Sequence, residues 1–343
     1  MVNNLYVVTP RGFCAGVEMA IKALTWMLKI YDETIYCYHE IVHNDWIAKK
    51  FKENNVKFVN HPDELPDNAI VMLSAHGTAP NIEKEFKSMS LTNVNSVCPL
   101  VTKVHHEAKR FSEEGLEIIY VGHKDHDEAV GAMGVAPESM KLVENVDEIE
   151  EIDLVSDNVA LLAQTTLSMS DWEPIMLKAK EKYPNLKMPR KNDLCYATTN
   201  RQEAIINIAG EVDLVIVVGS STSSNTNALV TSINNIGKEA YRIETTEDLN
   251  NINLINKNVA ITAGASAPDH MVQNIVDYIE PKNIEFYIDT DETEYFPLPV
   301  ELRTNIKNLS NFISSMFPEN TIKSENGIKN DKSWSATKAL ASL

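Results

Sequence analysis

Seven short runs, LYVV, TIYCY, AIVMLS, LEIIYVG, NVALLAQ, DLVIVVG and NVAITAG, punctuate the chain between Asn4 and about Tyr278. Each is continuously apolar and rich in Val and Ile, the pattern of a parallel strand buried on both faces. Amphipathic stretches separate them. The one after Cys14 carries Val17, Ala20, Ile21, Leu24, Leu28 and Tyr31 at helical spacing, a stripe wide enough to cover a sheet. Similar helices are predicted after Ala79, Pro99, Ser168, Thr199 and Asn225. Strand–helix alternation of this kind restricts the fold to α/β with parallel sheets and right-handed crossovers.

At 343 residues the chain exceeds one ordinary core. Cutting it before Cys98 and Cys195 gives three α/β domains of similar size, 1–97, 98–194 and 195–281. Self-similarity between their side chains is weak, so the repeat is one of structure rather than sequence. A docking segment, 282–318, follows. The Ser-, Asn- and Lys-rich tail 319–343 is expected to be disordered or loosely attached.

The net charge of −18, without a basic stripe, argues against nucleic-acid binding. No run approaches the roughly 18 apolar residues of a membrane span. The N-terminus enters a strand-like run at once, without the regions of a signal peptide. The expectation is a cytoplasmic protein, in which dispersed cysteines are ligands or nucleophiles more often than disulfides.

Cys14, Cys98 and Cys195 each precede a helix-like run, in PRGFCAGVE, CPLVTKVHH and DLCYATTNRQEA. A thiolate at a helix N-terminus is stabilised by the positive end of the helix dipole. Three such thiolates converging on one soft metal centre would leave an open coordination position for chemistry. A lone cysteine is more often a buried structural residue. Cys37, inside TIYCY, fits that description; the other three sit at strand-to-helix turns with polar neighbours, where the structural role and the ligand role stand about equal.

His43, His76 and His126 follow the carboxyl ends of predicted strands, where ligand sites in parallel sheets form. Singly, each is more often a hydrogen-bonded structural histidine. GSSTSSNTN places Ser223, Ser224 and Asn225 at a helix start, and a second strand-to-helix turn carries Ser266. One Ser or Asn suffices as an N-cap, so this density of donors suggests a phosphate or diphosphate cradle. The chain has neither GxxxxGK[ST] nor GxGxxG, so nucleotide folds of those types are unsupported. Glu128, close to phosphate charge, would have a raised pKa and could donate a proton.

The motifs PRGFCAGVE, HEIVHN, SAHG, CPLVTKVH, GHKDHDE, QTTLS, DLCYATTNRQEA, GSSTSSNTN and TAGASAPD occur in this order. Over about residues 5 to 310 the chain closely resembles the LytB family, the 4-hydroxy-3-methylbut-2-enyl diphosphate reductases that complete the methylerythritol phosphate route to isoprenoids. The resemblance implies three pseudo-equivalent α/β domains in a trefoil around one central [4Fe–4S] cluster. It makes Cys14, Cys98 and Cys195 the ligands of three irons, leaving the fourth for the substrate hydroxyl. It assigns His43, His76, Ser223, Ser224, Asn225 and Ser266 to the diphosphate and places His126 near both parts of the substrate. Thr165 matches the threonine that contacts the hydroxyl, and Glu128 the proton donor. Asp127 departs from the pattern, standing where proline is expected. The implied reaction is a two-electron, two-proton removal of the hydroxyl, giving isopentenyl and dimethylallyl diphosphate. With no nicotinamide fingerprint in the chain, a ferredoxin or flavodoxin would supply the electrons.

Two other readings keep the cysteines. Zinc with a bound water could hydrolyse a phosphorylated substrate. A non-catalytic iron–sulfur scaffold would leave the anion cradle and Glu128 without a purpose.

Overall fold

The computed structural model describes residues 1–316 and 329–343. Its strands are β1 (Asn4–Thr9), β2 (Ile35–Tyr38), β3 (Val56–Val59), β4 (Ala69–Leu73), β5 (Ser90–Asn95), β6 (Glu117–Val121), β7 (Met140–Val143), β8 (Val159–Ala163), β9 (Leu214–Val218), β10 (Glu239–Ile243), β11 (Asn258–Ala263) and β12 (Asn283–Ile288). Its helices are α1 (Ala15–Ile30), α2 (Asp45–Lys52), α3 (Pro80–Met89), α4 (Pro99–Glu113), α5 (Asp127–Met133), α6 (Val146–Glu151), α7 (Met169–Lys182), α8 (Tyr196–Ile208), α9 (Ser224–Asn235), α10 (Asp269–Ile279), α11 (Val300–Met316) and α12 (Ala336–Ala341). By its contacts the chain divides into two compact units, Met1–Cys14 with Leu100–Thr293, and Ala15–Pro99 with Glu294–Leu343.

The first unit holds two parallel sheets, ordered β10–β9–β11–β1–β12 and β7–β6–β8. Both faces of each are covered. Leu214, Ile216 and Val218 of β9 join Val272, Ile275 and Val276 of α10, while Val215 and Val217 join Ala204 and Ile205 of α8 and Leu229 and Ile233 of α9. In the smaller sheet Ile118 and Tyr120 pack with Val104, Ala108 and Phe111 of α4, and Ile119 and Val121 with Trp172 and Ile175 of α7. This two-sided burial explains why the central strands read as continuous apolar runs.

All seven predicted runs form strands. The five strands the sequence pattern does not announce, β3, β5, β7, β10 and β12, are all at sheet margins. Sequences such as VKFV, MKLV and EAYRI carry charge because a marginal strand meets fewer apolar neighbours and needs polar side chains against further pairing.

The three sheets share one order. A marginal strand (β3, β7 or β10) lies beside a first central strand (β2, β6 or β9), then a second (β4, β8 or β11). In each, the chain leaves the first central strand for the margin and returns on its other side, so the direction of winding reverses between the two central strands. The position beyond the second central strand is β5, followed by Cys98; a bridge at Lys187, followed by Cys195; and β1, followed by Cys14. The strands do not follow the sequence thirds: Cys98 and Cys195 follow the last position of their sheets, and Cys14 follows β1, which lies between β11 and β12 in the sheet built from 214–288. β1 pairs with β11 from Asn4 opposite Asn258, a partner that no local pattern specifies.

The second unit contains the sheet β3–β2–β4–β5, with Tyr38, Val59, Ala69, Val71, Leu73 and Phe86 in one core cluster. It also contains α1, which is buried beyond its predicted stripe: Ala23, Thr25 and Lys22 are inaccessible as well. The tail covers part of this helix, Lys22 included. A 3-10 turn, Lys329–Ser333, and α12 dock on α1. Trp334 meets Trp26 at 5.4 Å between ring centroids, Ala336 N–H donates to Glu18 at 3.0 Å, and Ala336, Ala339 and Leu340 are buried. Lys22 Nζ donates to the Asp331 carbonyl at 2.7 Å and lies 3.5 Å from its carboxylate, which also accepts from the Tyr295 hydroxyl. The expectation of a loose tail thus fails for 329–343, whose few apolar residues suffice because Trp334, Ala336, Ala339 and Leu340 meet a complementary helix; 319–328 lies outside the described residues. The expected docking segment 282–318 supplies β12 to a sheet as well as α11.

A buried lysine left without its carboxylate is costly, so Asp331→Ala is expected to destabilise the chain by about 3 kcal/mol. Urea unfolding would show this as a lower midpoint. Adding Lys22→Met should recover much of the loss, because the stranded charge goes with it.

Candidate functional site

In each sheet the candidate polar residues emerge from the carboxyl ends of the two central strands, where the winding reverses, the usual place for ligands in open α/β sheets. In the first unit β6 leads to His126 and Glu128, and β8 leads to Thr165. His126 is the N-cap of α5, its Nδ1 accepting the Glu128 N–H at 3.2 Å. In the neutral ring this acceptor role leaves the proton on Nε2. Glu128, in the first turn, accepts from Thr165 N–H at 2.7 Å and from the Thr165 hydroxyl at 3.0 Å. Those bonds favour its carboxylate, yet burial outweighs them, and with the nearby Asp193 charge pushes its pKa up to about 7. Such a group holds and releases a proton near neutrality.

Asp127 opens α5 at its first helical position. Proline suits that position because its fixed φ matches the helix and it has no N–H to satisfy. Aspartate suits it because its charge meets the positive end of the helix dipole. The helix start thus accommodates the departure.

The larger sheet supplies Ser223, Ser224 and Asn225 after β9 and Ser266 after β11. The close approach of α9 to both strand ends requires glycine there: a Cβ on Gly264 would stand 2.1 Å from Thr226 Oγ1, and one on Gly219 2.4 Å. Ser223 is the N-cap of α9 and also accepts from Ser266 Oγ at 3.4 Å. Ser224 Oγ accepts from Gln164 at 3.2 Å and Thr166 at 2.9 Å. Asn225 accepts the Ala265 N–H at 2.8 Å and donates to Thr198 Oγ1 at 3.2 Å. The capping role and the clustering of donors coexist.

Cys195, the N-cap of α8, receives its position from the same network. Its N–H donates to the Thr165 carbonyl at 3.0 Å and its Sγ lies 3.0 Å from Thr198 Oγ1. Cys14 N–H donates to the Ala265 carbonyl at 3.2 Å. The first unit therefore brings Cys14, Cys195, His126, Glu128, Thr165, Ser223, Ser224, Asn225 and Ser266 onto linked strand ends. Burial, and then the charge of Cys14, push the Cys195 thiol up to about 12. Such a thiol resists ionisation by itself; a soft metal centre of positive charge reverses that preference. The donor chemistry fits a thiolate-bound metal.

His43, His76 and Cys98 form a group of their own in the second unit. The rings of His43 and His76 stack at 4.0 Å with 17° between their planes. Their loops are laced together: Ala75 N–H donates to Ile41 at 3.4 Å, and Cys98 N–H donates to Ala75 at 3.0 Å. Cys37 lies fully buried in β2, and burial holds its thiol well above the ordinary range, as befits a core residue.

Sequence reasoning passed over several residues that hold the candidates in place. Thr198, Gln164 and Thr166 sit inside the very motifs that carry Cys195 and Thr165; their spacing from helix starts and strand ends was the available signal. Asp193 is buried, accepting from Ala163 N–H at 3.1 Å and from Lys103 at 3.0 Å. Burial outweighs the lysine and pushes its pKa up to about 6. No sequence pattern pairs Lys103 with a residue 90 positions away.

The chain matches the family model described as LytB protein over residues 5–280. It is 40% identical over 306 residues to a 4-hydroxy-3-methylbut-2-enyl diphosphate reductase of Rhodopirellula baltica, covering 88% of this chain and 96% of that protein. To the enzyme of the same name from Proteus mirabilis it is 41% identical over 313 residues, 89% of this chain and 99% of the other. Among solved structures it is similar to the E-1-hydroxy-2-methyl-but-2-enyl-4-diphosphate reductase of Plasmodium falciparum, with a TM-score of 0.87 at 35% identity over 90% of this chain and 99% of that one. It also resembles an (E)-4-hydroxy-3-methyl-but-2-enyl diphosphate reductase described as the terminal enzyme of the non-mevalonate pathway, with a TM-score of 0.59 at 28% identity over 82% and 99%.

Proposed function

Because the chain belongs to the LytB family, we propose that it reduces (E)-4-hydroxy-3-methylbut-2-enyl diphosphate to isopentenyl and dimethylallyl diphosphate. The observation that carries this reading is the placement of a buried Glu128, its pKa raised to about 7, on Thr165, whose carbonyl in turn holds the N–H of Cys195. An acid poised near neutrality, one residue away from a thiol with metal-ligand character, suits a reaction that couples electron delivery to proton delivery.

Cys14, Cys98 and Cys195 would ligate one [4Fe–4S] cluster, around which the three sheets would be arranged as the trefoil that the family resemblance implies. When bound, the cluster supplies electrons singly and an iron that polarises the substrate oxygen. The chain's own groups do the rest. His43, His76, Ser223, Ser224, Asn225 and Ser266 hold the diphosphate with neutral and cationic donors, and His126 reaches both ends of the substrate. Thr165 orients the hydroxyl. Two electrons and two protons convert the carbon–oxygen bond into a carbon–hydrogen bond and water. Glu128 delivers a proton, directly or through the diphosphate, and protonation at either end of the allylic system gives one product or the other. The electrons come from a ferredoxin or flavodoxin. No described helix is long and apolar enough to cross a membrane.

Anaerobic purification followed by iron and sulfide analysis tests the reading. About four of each per chain is expected. Zinc without sulfide would favour a metal-bound water and hydrolysis instead, and would end the reductase reading.

A further inference from the structure

We propose that Arg201 and Glu292 form a positioning brace, which fixes the Cys14 loop against the Cys195 helix at the spacing a shared metal centre requires. The inference rests on the cluster reading above. Arg201 lies in α8 and is 1% exposed. Its Nη2 donates to the Gly12 carbonyl at 2.9 Å, two residues before Cys14. Its Nη1 donates to the Ala197 carbonyl at 2.9 Å, two residues after Cys195. The same nitrogen meets both oxygens of Glu292, at 2.8 and 3.0 Å, and Asn200 holds that carboxylate at 3.3 Å.

One planar guanidinium thus touches the backbone on the near side of two proposed ligands, and a carboxylate at its back sets its orientation. The fork matters because Arg presents donors in fixed directions, which a lysine point charge does not. Gly12 adopts φ +71, where a Cβ would also press on the Ala267 carbonyl at 3.3 Å; glycine is permissive in its backbone angles, and the brace on its carbonyl selects this one. A buried ion pair is weak support for stability alone, since apolar residues of similar volume often do as well. What an apolar pair cannot do is hold the Gly12 carbonyl. Groups behind the ligands of metal sites commonly carry 10–100-fold of the metal affinity.

The experiment compares anaerobically reconstituted wild type, Arg201→Lys, Glu292→Gln and Lys182→Met. Lys182, in the same unit, caps the carbonyls of Ile149, Glu150 and Ile152 and does not touch the cysteine loops. The readouts are melting temperature and the rate at which a chelator bleaches the visible cluster absorption. Arg201→Lys is expected to lose its cluster at least ~10-fold faster than wild type, with Glu292→Gln intermediate and Lys182→Met unchanged whatever its melting temperature. Should Arg201→Lys fail to fold, Glu292→Gln, which keeps the side-chain shape, carries the test. Wild-type retention in the brace variants would overturn the proposal, as would losses that simply track melting temperature in all three. Wild type that takes up no iron or sulfide would instead bring down the cluster reading itself, and the brace with it.

Discussion

Glu128→Gln is expected to lose 10²–10⁴-fold of turnover, the usual contribution of a positioned general acid, while keeping iron, sulfide and substrate affinity. The amide can still accept the Thr165 N–H at the position where Oε1 does so at 2.7 Å, and its NH₂ can donate to the hydroxyl that now donates to Oε2 at 3.0 Å. Geometry survives; the transferable proton does not. Turnover measured with a chemical reductant separates this step from electron-partner docking, and an unchanged rate would remove Glu128 from the acid role. In wild type the protonated form is the acid, so the rate should fall as pH rises through about 7.

The same ionisation affects stability. Glu128 holds its proton more tightly folded than unfolded, since burial raises its pKa from 4.5 to about 7. Its contribution is therefore fully present below the unfolded value and is lost as pH rises through the folded one, a change of roughly 3 kcal/mol. Asp193, raised for the same reason to about 6, acts in the same direction and remains in the variant. Melting of cluster-free protein between pH 5 and 8 should accordingly be flatter for Glu128→Gln than for wild type. Equal slopes would mean the carboxyl is not perturbed by burial.

Cys195→Ser is expected to abolish activity and reduce bound iron and sulfide at least ~10-fold, because a soft cluster needs its thiolate. Cys37→Ser should leave the cluster content unchanged, although a hydroxyl in the β2 core lowers stability by about 1–3 kcal/mol. Iron and sulfide assays on the two variants, side by side, distinguish a ligand from a buried cysteine. A full complement in Cys195→Ser would refute the ligand assignment.

Much of the site is legible in the sequence because it lies where local patterns end. Glu128, Thr165, Ser223 and Ser266 follow runs whose continuous Val and Ile content announces a central strand. Arg201 and Asp193 were not legible. Each looks like an ordinary polar residue of a helix or a turn, and only their partners, Gly12 with Glu292 and Lys103 with Ala163, reveal what they hold. The docked end of the chain was hidden for a similar reason: Trp334, Ala336 and Leu340 make no amphipathic signal of their own and acquire one against α1.

Local pattern is enough to establish the parallel α/β class, the central strands, the cysteines at strand-to-helix turns and the polar residues beside them. Periodicity and turn chemistry record how each segment is buried, and those are local properties. Strand pairing, by contrast, is set by contacts between distant segments. β1 joins β11 and β12 from the other end of the chain, and Cys14 thereby falls in the last sheet. That choice rests on packing and hydrogen bonding between segments some 250 residues apart, interactions that leave no trace in the spacing of either segment.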